Sequence, residues 1–251
     1  MRFARVRTAD GSPAHARIEG DRALLLDTAP WLGGKPTGVE LHNAQLLTSV
    51  TPSKIIGVGR NYRAHAAELE HEVPREPLIF LKPPSSLLSP GGTVLLPPES
   101  ARVDHEAELG VVIGRRCHRV DKAHALEYVF GLTPVCDVTA RDLQKKDGQW
   151  ARAKGFDTFC PVGPHVVDGV DPSALGIRLW VDSEIRQDGN TRDMVFDVAT
   201  LITYISAAMT LEPGDLISTG TPYGVGPLTD GNRVRMEIDE LGALDFLVAS
   251  A

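Results

Sequence analysis

The sequence predicts an α+β fold dominated by strands, on three observations. Glycine and proline are abundant, 24 and 18 of 251 residues, and they break the chain into many short apolar runs bounded by turns. Those runs outnumber the stretches with helical periodicity, and no internal repeat or low-complexity tract interrupts them. Hydrophobic residues make up 42% and charged residues 24%, which is ordinary globular usage and enough for a sizeable core.

Taken in order, residues 1–50 hold short strand candidates such as Arg2–Arg7 and Arg22–Leu26. Composition shifts at Thr51-Pro52 and the apolar runs lengthen, so residues 1–50 are expected as a small N-terminal β domain and 51–251 as the main domain. Lys54–Val58 and Leu78–Leu81 are predicted as short buried strands. Asn61 is predicted to cap a helix running through Glu70, since alanines follow it. Leu109–Ile113 and Asp215–Ser218 are further strands, and Val198–Met209 is a helix ending before Pro213-Gly214.

The formal charge of -7 argues against a nucleic-acid partner, which needs a clustered basic excess. Met1–Gly11 has no continuous apolar segment of the kind a secretory leader carries. No stretch approaches the ~18 apolar residues of a membrane span, so a cytoplasmic protein with no membrane partner is expected. Cys117, Cys136 and Cys160 are widely spaced without a C-x-x-C pair, which fits reduced, buried thiols.

The most informative segment runs from Asp104 to Ile113. Side chains of a strand alternate between faces, so Glu106 and Glu108 point one way while Ala107, Leu109, Val111 and Ile113 point into apolar packing. Two neighbouring carboxylates entering a core repel each other and lose hydration unless a cation or donors compensate. By itself such a pair also fits an exposed strand face. Asp137 supplies a third carboxylate at the end of the apolar run Tyr128–Cys136. Three carboxylates with no His or Cys in the motif favour a hard cation, Mg²⁺ or Mn²⁺, over zinc. Three protein ligands leave positions for water or a chelating substrate. Asp104 shares the alternating face and is not counted as a ligand.

Competing motifs fail. Neither His71-Glu72 nor His105-Glu106 continues as H-E-x-x-H, and no G-x-S-x-G elbow is present. Gly57-Val58-Gly59 lacks the third glycine of a dinucleotide fingerprint, and no P-loop lysine motif occurs.

The chain resembles the fumarylacetoacetate hydrolase superfamily. The likeness covers nearly all of Thr51–Val248 and rests on six segments in order: Gly57–Tyr62, Phe80–Pro83, His105–Leu109, Asp137–Asp142, Lys154–Asp157 and Gly220–Gly226. The resemblance implies a mixed β-sandwich roll with a small N-terminal β appendage, a homodimer, and Mg²⁺ or Mn²⁺ held by Glu106, Glu108 and Asp137.

Other residues gain roles beside it. His65 and Glu68 stand three apart, so a helix would place them on one face within hydrogen-bonding reach; a solvated pair has the same spacing. The resemblance implies that they are the His–Glu dyad of hydrolytic members. Lys154 is either a surface lysine or a cation that offsets enolate charge. Lys82 is a candidate for binding a substrate carboxylate, and so, less strongly, are Arg141 and Gln144. Thr221 and the amides of Gly220–Gly226 could grip an anion, although glycines also make tight turns.

These parts imply chemistry on 2-oxo acids or their enols through a metal-stabilised enolate. The overall layout, with its short N-terminal segment and the Gln187–Thr191 stretch, looks most like bacterial 2-hydroxyhepta-2,4-diene-1,7-dioate isomerases and their decarboxylase relatives from aromatic-acid breakdown, and the resemblance implies that activity. Acylpyruvate C–C hydrolysis and oxaloacetate decarboxylation are alternatives from the same site. A catalytically silent carboxylate-binding protein is the alternative of another class.

Overall fold

The computed structural model describes residues 1–68, 70 and 72–251. Among them, the turn-punctuated apolar runs fold mostly as strands. An eleven-stranded sheet runs in the order Pro36–His42, Arg22–Leu26, Pro13–Glu19, Arg2–Arg7, Val166–Val167, Val129–Cys136, Ala107–Ile113, Leu216–Ser218, Ile55–Gly59 and Leu78–Lys82, with Leu46–Leu47 pairing off Arg2–Arg7. A five-stranded sheet contains Glu184–Asn190, Gly176–Val181, Arg233–Ile238, Gly242–Ser250 and Thr93–Leu96 in that order.

The main core lies between these sheets. Leu109, Val111 and Ile113 of the first share it with Leu179, Met236, Leu244 and Phe246 of the second. Ala107 joins the same cluster, so all four residues predicted to face apolar packing do so. Val112 points the other way, into a second cluster with Ile55, Val135 and Leu216. A strand buried on both faces reads as a continuous apolar run, which is why Gly110-Val111-Val112-Ile113 shows no alternation.

Arg2–Arg7 and Arg22–Leu26 form where predicted. Strands of residues 1–50 continue the large sheet, because Arg2–Arg7 pairs with Val166–Val167. They also keep a small cluster of their own around Ala4, Val6, Ala16 and Ala23. The expected Lys54–Val58 strand is seen at Ile55–Gly59, one residue later.

Four α-helices are described: α1 Arg63–Glu68, α2 Arg141–Asp147, α3 Ala151–Gly155 and α4 Val198–Ala208. Asp197 caps α4 by accepting from the Thr200 N–H at 2.7 Å. Asn61 does not cap α1 as predicted. Its amide donates to the Phe196 and Thr219 carbonyls and accepts from the Phe196 N–H, at 2.8 to 3.0 Å, so it ties two distant segments together. The helix expected through Glu70 is described only to Glu68. Leu69 lies outside the described residues, and Glu70 stands in a turn with φ of 56°.

The three cysteines are free and buried. Among the described residues no helix is long and apolar enough to cross a membrane.

Candidate active site

Two neighbouring strands leave the large sheet together. Ala107–Ile113 and Val129–Cys136 pair through Ala107 and Cys136. Beyond that point their continuations pair again, Val103 with Ala140 and Asp104 with Thr139, in a three-stranded sheet completed by Gly226–Pro227. Glu106 and Asp137 stand at the two joints, outside either strand, and the Asp137 N–H donates to the Glu106 carbonyl at 2.8 Å. Two joints held side by side bring residues distant in sequence to one place. Ligand oxygens of Glu106, Glu108 and Asp137 all lie within 4.8 Å of one another, and the three residues are 4%, 1% and 1% exposed.

Cations surround this cluster. Lys154 donates to Glu106 Oε2 at 2.7 Å and to Asp137 Oδ2. Arg141 donates to Glu106 Oε1 and, at 2.9 Å, to Asp104 Oδ2. Burial alone would raise the Glu106 pKa, but Lys154 and Arg141 outweigh it and hold the carboxyl well below its usual range. Burial likewise opposes the charge on Lys154, yet Asp137 and Glu106 keep the ammonium above its ordinary pKa.

Glu108 is different. Its Oε2 accepts from Ser218 Oγ at 2.6 Å and the Gly220 N–H at 2.8 Å, and no Lys or Arg pairs with it among the described residues. Burial first, then the like charges of Asp137 and Glu106, push its pKa well up. A buried carboxylate crowded by two others and lacking an ion-pair partner is the missing-charge pattern that a bound cation relieves. The donor set, three carboxylates, suits a hard divalent ion, so the residues fit a metal centre.

A cavity of about 480 Å³ opens on the cluster, lined by Glu106, Glu108, His65, Arg141, Gln144, Lys154 and Thr221 among others. His65 Nδ1 lies 3.1 Å from Glu68 Oε2, and Glu68 Oε1 accepts from the Gly224 N–H at 3.2 Å. Thus His65 and Glu68 meet on α1 as their helical spacing predicts, with the carboxylate anchored to the glycine-rich loop.

Three sequence expectations are revised. Lys82, expected at a substrate carboxylate, is 1% exposed and does not line the cavity. Its ammonium donates to Asp137 Oδ1 at 2.7 Å and to the Lys154 carbonyl, so it holds a metal-ligand candidate and α3 in register. The loop amides bind carboxylates, but the protein's own: Gly220 serves Glu108 and Gly224 serves Glu68. The Thr221 hydroxyl donates to the Ala107 carbonyl at 2.9 Å and accepts from Gln187 Nε2 at 2.8 Å while still lining the cavity. Asp104 is fully buried and held by Arg102 and Arg141; it steadies the arginine that holds Glu106.

Sequence reasoning missed several contributors. Gln187, fully buried, takes the Ala107 N–H on its Oε1 at 3.0 Å and donates to Thr221 and the Pro222 carbonyl. No local signal marks it, since its partners are far away in sequence. Trp150, Arg60 and Lys145 also line the cavity. A Cβ on Gly59 would lie 2.5 Å from the Trp150 ring, and one on Gly57 2.2 Å from Phe80. The two glycines therefore admit aromatic rings, and Lys154 Nζ sits 5.0 Å over the Phe80 ring. Lys145 follows Arg141 and Gln144 on one helical face, and that spacing was visible in the sequence.

Residues 54–249 match the fumarylacetoacetate (FAA) hydrolase C-terminal family, and residues 1–48 match the Rv2993c-like N-terminal family. The chain belongs to the fumarylacetoacetate hydrolase family. It is 47% identical over 198 residues to the mitochondrial oxaloacetate decarboxylase of Dictyostelium discoideum, a match covering 76% of this chain and 91% of that one. Its structure is similar to the crystal structure of 2-hydroxyhepta-2,4-diene-1,7-dioate isomerase from Mycobacterium marinum, with a TM-score of 0.92, 41% identity, and 100% and 98% of the two chains covered. It is similar also to maleylpyruvate hydrolase from Sphingobium sp. SYK-6, solved with manganese(II) and pyruvate, with a TM-score of 0.81, 33% identity and full coverage of both chains. Family relatives thus carry isomerase, hydrolase and decarboxylase activities, and one of them binds a divalent metal.

Proposed function

We propose that this chain is a divalent-metal enzyme acting on 2-oxo acids or their enols, with isomerisation or decarboxylation of a 2-hydroxyhepta-2,4-diene-1,7-dioate-type substrate as its activity. The observation that carries this reading is the convergence of Glu106, Glu108 and Asp137, with ligand oxygens within 4.8 Å of one another, beside a cavity that Glu106, Glu108, Lys154 and His65 line. A Mg²⁺ or Mn²⁺ ion held there would act as a Lewis acid on the carboxylate and 2-oxygen of a chelating substrate.

The chain's own side chains do the rest. Lys154 places a fixed ammonium where negative charge develops on the 2-oxygen, in a site with little water to screen it. Arg141 and Lys82 keep Glu106 and Asp137 aligned, so the charge arrangement precedes substrate binding. With Nδ1 of His65 held by Glu68, the other ring nitrogen is left to take a proton from the enol hydroxyl and return one to a distant carbon. Loss of CO₂ from a 2-oxo acid whose second carboxylate sits on the carbon next to the carbonyl, as in oxaloacetate, would leave the same charge on the 2-oxygen and end in the same protonation of carbon.

A second reading, acylpyruvate C–C hydrolysis, is favoured by one observation. The His65–Glu68 dyad at 3.1 Å, with Glu68 anchored to Gly224, is the arrangement a general base for water requires. The two readings separate experimentally. Turnover of the hydroxydienedioate, oxaloacetate and acetylpyruvate is measured with added Mg²⁺ or Mn²⁺, for the wild type and His65→Ala. Product from the dienedioate or oxaloacetate supports the first reading, and acetylpyruvate cleavage that disappears in His65→Ala supports the second. Metal binding without turnover of any of the three would leave a silent carboxylate-binding protein and overturn both.

The same proposal includes a homodimer. Its support is the outermost strand of the large sheet, Leu78–Lys82, which exposes Leu78 and Leu81 at 36% and 49%. Light scattering showing a monomer at micromolar concentration would remove it.

A further inference from the structure

Glu184–Asn190 is the outermost strand at one edge of the five-stranded sheet, and the one residue it buries fully is polar, Gln187. Burying a side-chain amide is costly unless its hydrogen bonds are made. Here they are all made. The amide oxygen accepts from the Ala107 N–H at 3.0 Å and from His105 Nδ1 at 3.1 Å. The amide nitrogen donates to Thr221 Oγ1 at 2.8 Å and to the Pro222 carbonyl at 3.0 Å. Both N–H donors and both lone pairs are thereby used. Backbone groups settle which end of the amide is which, because the Ala107 N–H can only donate and the Pro222 carbonyl can only accept. His105 therefore carries a proton on Nδ1.

These bonds close into a ring. The Thr221 hydroxyl donates onward to the Ala107 carbonyl at 2.9 Å, so Ala107, Gln187 and Thr221 each give and receive around one circuit. The strand ladder explains the need for it. Leu216–Ser218 pairs with Ala107–Ile113 from Val112 to Gly110, and the Thr219 N–H extends the contact to the Leu109 carbonyl at 3.0 Å. Ala107 presents its N–H and C=O on the same edge two residues further along, past the end of that partner strand. Buried backbone groups must find partners, and the side chains of Gln187 and Thr221 take the place of the missing strand.

Ala107 stands between Glu106 and Glu108. We propose that Gln187 is a positioning residue for the acidic triplet: by closing the ring it fixes the peptide planes on either side of Ala107, and with them the directions of both glutamate side chains. The same ring seats the loop whose Gly220 N–H holds Glu108 Oε2 at 2.8 Å. An amide suits this position because it donates and accepts without charge. A carboxylate there would offer acceptors only and would add negative charge beside a cluster already crowded with it. The inference rests on Glu106, Glu108 and Asp137 being the metal ligands, as argued above, and it adds a residue that acts on the ion through them.

The test measures Mn²⁺ affinity of the full-length protein by calorimetry, with thermal unfolding recorded on the same samples. Q187M keeps the length of the side chain and removes the amide. It should weaken Mn²⁺ binding by about 10- to 100-fold, the range for losing a partner that orients a ligand. T221V removes the hydroxyl of the ring and keeps its shape, and should lose about 10-fold. T221S restores the hydroxyl and should bind as the wild type does. Because the ring acts as one unit, Q187M/T221V should bind within about twofold of Q187M alone. Where Q187M does not fold, the contrast between T221V and T221S decides by itself. Isotherms of Q187M and T221V that match wild type, even with lowered unfolding midpoints, would reduce the ring to a purely structural role and overturn the inference. Losses that simply multiply in the double variant would also overturn it. Wild-type protein that binds no Mn²⁺ would remove the metal reading itself, and the positioning role with it.

Discussion

Polar side chains are wholly or partly buried in two regions of this protein, and the two regions treat them in opposite ways. Where the paired strands leave the large sheet, Glu106, Asp137, Lys82, Lys154 and Arg141 are buried as charged groups, each compensated by another. Where residues 1–50 join the large sheet, the packing is aromatic. Trp31 stands edge-on to His15 and to Phe130, at 5.2 and 5.8 Å between centroids, and Phe3 contacts Phe130 at 5.3 Å. His15 and His165 lie at this seam with Nδ1 buried and without a hydrogen-bond partner. Burial pushes both imidazoles down to about 4, with Arg5 and Arg2 adding repulsion to His15 and His165 respectively. One region keeps charges and orders them; the other keeps its histidines neutral. Desolvation is common to both, and the presence or absence of a partner charge decides which form survives.

The sharpest way to break this contrast is Asp137→Asn. It keeps the shape but removes a charge that Lys82 and Lys154 both use. Metal affinity and turnover should each fall by at least about 100-fold, since the loss of outer partners alone often reaches that size. Thermal unfolding should show a loss of about 3 kcal/mol from under-compensated buried cations. An unchanged metal isotherm would separate Asp137 from the proposed ligand set.

At the seam, Trp31→Ala should cost about 3 kcal/mol in urea denaturation and leave kcat within twofold. A comparable loss of activity without loss of stability would mean that the aromatic seam communicates with the site.

Acidification should reach the two regions differently. His15 and His165 have folded-state pKa values of about 4, below the ordinary 6.5, so between those limits the unfolded chain binds more protons than the folded one. Stability is then full above pH 6.5, declines as pH falls toward 4, and declines no further from this source below it. Allowing for partial exposure, each histidine should contribute about 2 kcal/mol to that slope. Denaturation midpoints of His15→Leu and His165→Leu between pH 7.5 and 4.5 provide the check, and slopes identical to wild type would refute the linkage. The smallest effect belongs to neither region. Lys122 pairs with Asp197 with both side chains more than half exposed, and Lys122→Ala should change stability by less than about 1 kcal/mol.

Much of the site was legible because strands encode direction locally. The period-two pattern from Ala107 to Ile113 determined which residues enter the core, and the structure places all four there. The turn-bounded run ending at Cys136 determined that Asp137 follows a buried segment. Asn61 was misread because capping is only one use of a side-chain amide, and its actual partners, Phe196 and Thr219, lie more than 130 residues away. Lys82 was misread for a related reason: a lysine between apolar residues announces burial but not the carboxylate it meets.

By itself the sequence determined the strand-rich class, the acidic triplet and its hard-ion preference, and the spacing of His65 and Glu68. These depend on backbone period and side-chain chemistry, which are local. Only the tertiary structure decided which charges face one another: that Lys82 serves Asp137, that among the described residues no Lys or Arg pairs with Glu108, that Gln187 ties the Thr221 loop to Ala107, and that, among the described residues, Arg60 and Lys145 line the cavity without an ion pair. Electrostatic interactions act through space between segments far apart in the chain, and no periodicity along the sequence records them.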